Sequence, residues 1–163
     1  MPLILVRHTR PDAGEGICYG STDIAAAPGF EPAAQALATR LAPADRVVSS
    51  PLRRCAALAR LLAGRLGAPL AFDPRWREMD FGAWEGRPWD AIPRPDLDAW
   101  AADLMHARPH GGESVAMLAA RTAEAMAACP AHERIVVVTH AGPIRAALAA
   151  WDRAIGYGET IAP

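Results

Sequence analysis

Two short runs of aliphatic and β-branched residues, Leu3–Val6 and Ile135–Thr139, stand near opposite ends of a 163-residue chain. Both are apolar along their length instead of alternating, which suits strands buried on both faces of a sheet. A weaker pair of strand candidates is Arg46–Ser49 and Leu70–Asp73. Helical periodicity fills the intervals, over Glu31–Leu41, Leu52–Leu66, Asp96–Ala107, Glu113–Cys129 and Ile144–Trp151. The clearest of these is Leu52–Leu66, with Leu58, Leu61 and Leu62 on one face and Gly67 as its stop. Parallel strands need crossover helices, so this alternation predicts a three-layer α/β/α sandwich with a mainly parallel sheet. The length fits one domain over residues 1–163. Residues 74–112 break the rhythm and hold four of the five tryptophans. They read as an irregular, lid-like excursion over the sheet edge, not as a second domain.

Composition removes several classes of function. The 17 basic residues are all arginine, so a Walker-A phosphate loop, a Schiff-base lysine and lysine-dependent kinase chemistry are excluded. A net charge of −1 argues against a general nucleic-acid binder. Cys18, Cys55 and Cys129 show no C-x-x-C spacing and read as free thiols in a reducing compartment. The opening from Met1 to Val6 is too short for a signal-peptide core, and no apolar run approaches the ~20 residues of a membrane span. The expectation is a cytoplasmic protein with no membrane or nucleic-acid partner. Oligomeric state is not legible.

In open α/β sheets ligands sit beyond the carboxyl ends of the strands. Those ends carry Arg7-His8, then Ser49-Ser50-Pro51 leading to Arg53-Arg54, then Thr139-His140 leading to Ala141-Gly142-Pro143. Ser50 is a candidate N-cap with Pro51 at the first helical position. Pro143 suggests the same start for the later helix, which would leave the Ala141 and Gly142 amides free for an anion. Arg54 shares the stripe of Leu58, Leu61 and Leu62, whereas Arg53 shares the face of Ala57 and Arg60, so periodicity turns Arg54 inward. Singly, a histidine after a strand is more often structural and an arginine at a helix start more often solvated. Their coincidence at separate strand ends is what points to an anion site. Three carboxylates, Glu78, Asp80 and Glu85, are open candidates for acid–base work.

These residues fall within longer motifs. Leu3–Thr9 resembles an L-x-x-V-R-H-G strand, and Ser49–Cys55 resembles an S-S-P-L-x-R-[AC] element. Arg77–Gly86 resembles an E-x-x-F-G-x-W-E-G element, and Gly111–Ser114 and Val138–Gly142 match two more. In this order, across nearly the whole chain, the set resembles the histidine phosphatase superfamily, which includes the phosphoglycerate mutases. The resemblance implies His8 as nucleophile, Arg7, Arg54 and His140 as phosphoryl ligands, and Glu78 as proton donor. Ala141 would add an amide to the cradle. It further implies a phosphomonoesterase acting on a small phosphorylated metabolite, without cofactor or metal. Cys18–Asp23 resembles a segment of phosphatase-like members assigned as α-ribazole phosphatases, which brings in Tyr19 and Gly20 as substrate-binding candidates. Two positions depart from the pattern. Thr9 stands where glycine is frequent, and a β-branched residue disfavours positive φ. Gly14 stands where asparagine is frequent.

Competing chemistries are weaker. His106 and His110 have the i, i+4 spacing of a zinc helix, but Pro109 lies between them. Gly112–Ala116 approximates a nucleophile elbow without the preceding apolar strand. Trp76, Trp84, Trp89 and Trp100 could stack on an aromatic substrate, although packing of the excursion is the expected role. A phosphoglycerate mutase, which must keep its intermediate from water, and a non-catalytic phospholigand-binding module are the alternative functions. An intact His8 and Glu78 argue against the module.

Overall fold

The computed structural model describes residues 3–41 and 43–163; Met1 and Pro2 of the opening segment lie outside them. Five strands form one sheet: β1 (Leu3–Arg7), β2 (Arg46–Ser49), β3 (Leu70–Phe72), β4 (Ile135–Thr139) and β5 (Thr160–Ile161). Their spatial order is β3-β2-β4-β1-β5. The first four run parallel, and β5 pairs antiparallel with β1. Five helices accompany them: α1 (Glu31–Arg40), α2 (Arg53–Leu66), α3 (Arg94–Ala102), α4 (Val115–Ala127) and α5 (Ala141–Leu148).

The two faces follow from the period of two along the strands. Val6, Val136 and Val138 join Val47 against buried residues of α1 and α2, including Leu37, Leu58 and Leu62. Leu3, Leu5, Ile135 and Val137 point the other way and meet Ala125 of α4 and Ile144 of α5. The result is the expected three-layer sandwich, mostly parallel. Strand pairing brings Arg7 opposite Thr139 and Ser49 opposite Val138. The residues that follow β1, β2 and β4 therefore emerge side by side.

Several boundaries differ from the sequence reading, each for a local reason. Leu52 is extended (φ −62°, ψ 138°) and α2 starts at Arg53, so Ser50 is not its N-cap; the Ser50 hydroxyl instead accepts from the Leu52 amide at 3.3 Å. Helix α5 starts at Ala141, because Pro143 fits within a first turn that lacks intrahelical N–H partners. It ends in a left-handed Ala149 (φ 50°), before Trp151. Helix α3 starts at Arg94, with a proline in its first turn, and stops at Ala102, where the Asp103 carbonyl gathers the His106 and Ala107 amides into a turn. The two-residue β5 is too short to leave a pattern.

Residues 74–112 carry α3 and three short 3₁₀ turns, and their Phe81, Trp89 and Trp100 face the same cavity as His8, beyond the strand carboxyl ends. Trp76 is buried beneath the sheet and Trp84 packs with Cys18 and Ile92, as packing residues should. Trp89 and Trp100 pack against that same cluster, stack on each other at 17° and also line the cavity. Among the described residues, no helix is long and apolar enough to cross a membrane.

Candidate active site

A cavity of about 520 Å³ opens beyond the ends of β1 and β4. His8 forms its floor and is only 2% exposed. Its amide donates to the Thr139 carbonyl at 3.0 Å, which fixes the residue to the end of the neighbouring strand. Its ring Nδ1 lies 2.7 Å from the Thr9 carbonyl. A carbonyl only accepts, so Nδ1 carries the hydrogen and the neutral ring keeps its lone pair on Nε2. Burial, with smaller contributions from the Arg54 and Arg7 charges, lowers the His8 pKa to about 3 against the Thr9 hydrogen bond. Thr9 itself keeps a negative φ, so the β-branched residue strains nothing in the backbone.

His140 is fully buried, with its ring 5.1 Å from that of His8 and edge-on at 63°. Its Nε2 shares a hydrogen bond with the Ser50 hydroxyl at 2.9 Å and lies 3.3 Å from the Cys55 sulfur. Burial first, then the neighbouring His8, Arg54, Arg121 and Arg7, hold its pKa well below the usual imidazole range. The cysteines are free; burial pushes the Cys18 thiol up to about 12, leaving it no thiolate character.

Periodicity sorted the two arginines in the direction the structure shows. Arg54 is completely buried among the apolar residues of α2, while Arg53 is exposed and paired with Asp23 at 3.6 Å. The Arg54 guanidinium donates to the Thr22 carbonyl at 2.8 Å and the Gly20 carbonyl at 2.6 Å, and its Nε has no partner. Arg7 donates to the Ile155 carbonyl and likewise keeps a buried Nε unpartnered. One buried and one half-buried cation beside a neutral histidine make a site suited to a doubly charged anion.

Geometry also separates the three carboxylates. Glu78 lines the cavity. Its oxygens accept from the Met79 amide at 2.9 Å and the Gly142 amide at 3.1 Å, so the Gly142 amide is occupied and not free for an anion. A Cβ on Gly142 would come within 2.0 Å of Glu78 Oε1 and would displace that carboxylate. Glu85 faces away from the cavity and gathers the amides of Gly20, Ser21 and Phe81 at 2.9–3.0 Å. Asp80 accepts from the Gly82 amide. Tyr19 and Ala141 line the cavity. Gly20 does not: its amide is spent on Glu85, and a Cβ there would meet the Met79 carbonyl at 1.8 Å. Gly14 lines the cavity with a 3.5 Å approach to Ile17, so no backbone demand holds a glycine there.

The competing motifs resolve into structure. Ser114 caps α4 by accepting from the Met117 amide at 3.2 Å. His110 is buried and accepts from the Gly112 amide, while His106 is exposed. Among the described residues, no three His, Cys, Asp or Glu side chains are grouped to hold a metal.

Other residues at the site had escaped the sequence reading. Tyr157 lies 5.7 Å from the His8 ring and 4.0 Å from the Arg7 guanidinium. Arg121 of α4, paired with Glu113 at 2.6 Å, donates to the carbonyls of Arg75, Arg77 and Glu78 and so holds the segment that carries Glu78. Its spacing from the Gly-Gly-Glu-Ser motif was the available signal.

Known proteins share this fold. The crystal structure of the α-ribazole phosphatase from Shigella flexneri superposes with a TM-score of 0.86 at 28% identity, covering 98% of this chain and 88% of that one. A mycobacterial glucosyl-3-phosphoglycerate phosphatase gives 0.76 at 32% identity, over 91% and 77%. The Yersinia pestis protein named "Probable phosphoglycerate mutase GpmB" is 32% identical over 101 residues, 58% of this chain; the match spans 46% of that relative's length. The family model of the histidine phosphatase superfamily, branch 1, matches residues 3–157, and the chain belongs to that family.

Proposed function

We propose that the protein is a metal-independent phosphomonoesterase that hydrolyses a small phosphorylated metabolite through a phosphohistidine on His8. The observation that carries this reading is the state of His8: buried, neutral, with Nδ1 committed to the Thr9 carbonyl and Nε2 free, beside Arg7 and Arg54. A phosphate monoester dianion repels nucleophiles, so charge neutralisation and alignment must do most of the work. In the first step Nε2 attacks phosphorus and the ester P–O bond breaks. Arg7, Arg54 and His140 hold the phosphoryl oxygens, with the Ala141 amide beside them, while Glu78 passes a proton to the departing alkoxide. In the second step water attacks the phosphohistidine, its proton goes to Glu78, the P–N bond breaks and phosphate leaves.

The cavity suggests the body of the substrate. Tyr19, Phe81, Trp89 and Trp100 offer flat apolar surface beside the charged floor, so an alcohol with a planar apolar part fits. The α-ribazole phosphatase likeness makes α-ribazole phosphate one candidate, to be set against other phosphorylated metabolites in a panel. A mutase must keep its phosphohistidine from water, and the relatives named as phosphatases support hydrolysis over transfer.

The test compares leaving groups. In Glu78→Gln, single-turnover cleavage of an alkyl phosphate falls by ~10²–10⁴-fold, because a basic alkoxide needs the proton. Nitrophenyl phosphate loses far less, because nitrophenolate leaves unaided, and shows a burst of nitrophenol followed by slow turnover. Equal loss for both substrates, or a leaving-group dependence that appears in Asp80→Asn instead, would remove Glu78 from its role.

A further inference from the structure

Tyr157 sits at the tip of a turn whose backbone is fastened without its side chain. Strand β5 pairs with β1 through Val6–Thr160 and Leu5–Ile161, which brings the preceding turn against the residues that carry the site. The Gly158 amide donates to the carbonyls of Arg7 (3.1 Å) and His8 (3.3 Å), and the Arg7 amide donates to the Glu159 carbonyl at 3.1 Å. Gly158 adopts φ +68°, which lets the chain reverse directly after the tyrosine. The Tyr157 side chain is then free to do something other than anchor the terminus. It is 44% exposed, yet its ring lies 4.0 Å from the Arg7 guanidinium carbon and 5.7 Å from the His8 ring. Its hydroxyl meets that of Tyr19 at 3.2 Å, and the Tyr19 ring in turn lies 5.3 Å from the Arg54 guanidinium. Two phenols from opposite ends of the chain each cover one arginine and join above the nucleophile.

We propose that Tyr157 is a positioning residue of the phosphoryl site: its ring braces Arg7 and roofs His8. The proposal rests on His8 being the nucleophile. The ring face attracts a guanidinium and restricts it to a plane. The side-chain tie from Arg7 to the Ile155 carbonyl, in the same turn, restricts it further. Covering His8 also keeps its ring dry. The groups that face it are Arg7 from β1, Arg54 from α2, His140 beyond β4 and Tyr157 from the turn, with Glu78 lining the same cavity. Among these, the two arginines and the loss of water both disfavour the imidazolium, so opening the roof hydrates His8 and screens the arginines together. Both changes raise its pKa from about 3 toward 6.5.

The experiment uses the full-length chain as wild type, Tyr157→Ala, Tyr157→Phe and Phe72→Ala. Phe72 is a similarly exposed aromatic, 43% accessible, on the distant edge strand β3. The readouts are the His8 ring titration by NMR and the pH profile of kcat/KM for nitrophenyl phosphate. In Tyr157→Ala, the His8 midpoint and the acid limb of the profile rise together by about one pH unit or more. In the same variant kcat/KM near neutral pH falls roughly tenfold. Tyr157→Phe keeps the ring, and so keeps the wild-type titration and a rate within about threefold. Phe72→Ala matches wild type throughout. The proposal is overturned if Tyr157→Ala titrates His8 as wild type does, or if Tyr157→Phe loses as much as Tyr157→Ala. The titration needs no turnover, so it decides the role of Tyr157 even if an alkaline quench of wild type, which preserves a P–N bond, finds no phosphate on His8, the result that would count against the phosphatase reading.

Discussion

Along β1 and β4 the side chains alternate between two cores, and the residues just past those strands, His8 on the cavity floor and the fully buried His140 beside it, are placed as a consequence of register. Between Pro74 and Gly112 there is no such period. That wall of the cavity is held by single polar anchors: Glu85 on the amides of the 20–22 loop, Arg121 on the carbonyls of 75–78, and Thr139 Oγ1 on the Trp76 carbonyl at 2.7 Å. The floor is an outcome of periodic burial, and its placement tolerates changes in any one contact. The wall adds to its small apolar clusters around Trp84 and Met79 a few hydrogen bonds, those of Glu85 and Arg121 charge-assisted and each fixing several residues.

The two regions should part most clearly in acid. His8 and His140 are held neutral in the fold but take up protons once unfolded. Stability is therefore whole above about pH 6.5 and drains as pH falls toward 3. The loss for one such histidine is about 1.4 kcal/mol over each pH unit below its unfolded pKa, up to roughly 5 kcal/mol for His8. The Asp73–Arg75 pair at the start of the wall has a lower threshold. Arg75 beside Asp73 holds that carboxyl below its usual range, so its contribution is present above about pH 4 and is lost only below that. Urea unfolding from pH 7 to 4 should show a steep loss in wild type and a shallower one in His8→Gln. Parallel curves would mean the floor histidines are not dry.

Next in size is the pair Arg54→Ala and Arg53→Ala. Losing a charge-assisted contact to a buried anion costs about 1.5–3 kcal/mol, so kcat/KM should fall roughly tenfold to hundredfold for Arg54→Ala. Arg53, already paired with Asp23 in solvent, should change little. Equal losses would break the distinction between an inward and a solvated arginine on α2.

A smaller effect should come from the link between the regions. Glu85 holds the loop whose Gly20 and Thr22 carbonyls receive Arg54. Glu85→Gln keeps the shape and removes the charge, and should destabilise by about 1–2 kcal/mol, with a Tm loss of ~2–4 °C per kcal/mol and a rate loss smaller than that of Arg54→Ala. An unchanged Tm would show that the backbone alone sets the loop.

What could be read in the chain divides along the same line. The strands over 46–49 and 135–139, the inward Arg54 and the side-by-side strand ends follow from spacing, because burial repeats every two or 3.6 residues. Glu78 could not be told from Asp80 or Glu85 by any period; the motif resemblance chose it, and the cavity then separated it from a loop-holding Glu85. The start of α5 was misplaced because Pro143 is compatible with more than one position in a first turn. Tyr157 was invisible because its place depends on a two-residue edge strand and a left-handed Gly158, contacts that join residues far apart in sequence.

The most direct test is to quench the protein in alkali during the first turnover with phosphate-labelled nitrophenyl phosphate and locate the label. About one phosphate per chain is expected, stable in base, labile in acid as a P–N bond is, mapping to His8 and absent from His8→Gln, which is also inactive. A labelled residue other than His8, or a His8→Gln variant that still turns over, would contradict that role for His8.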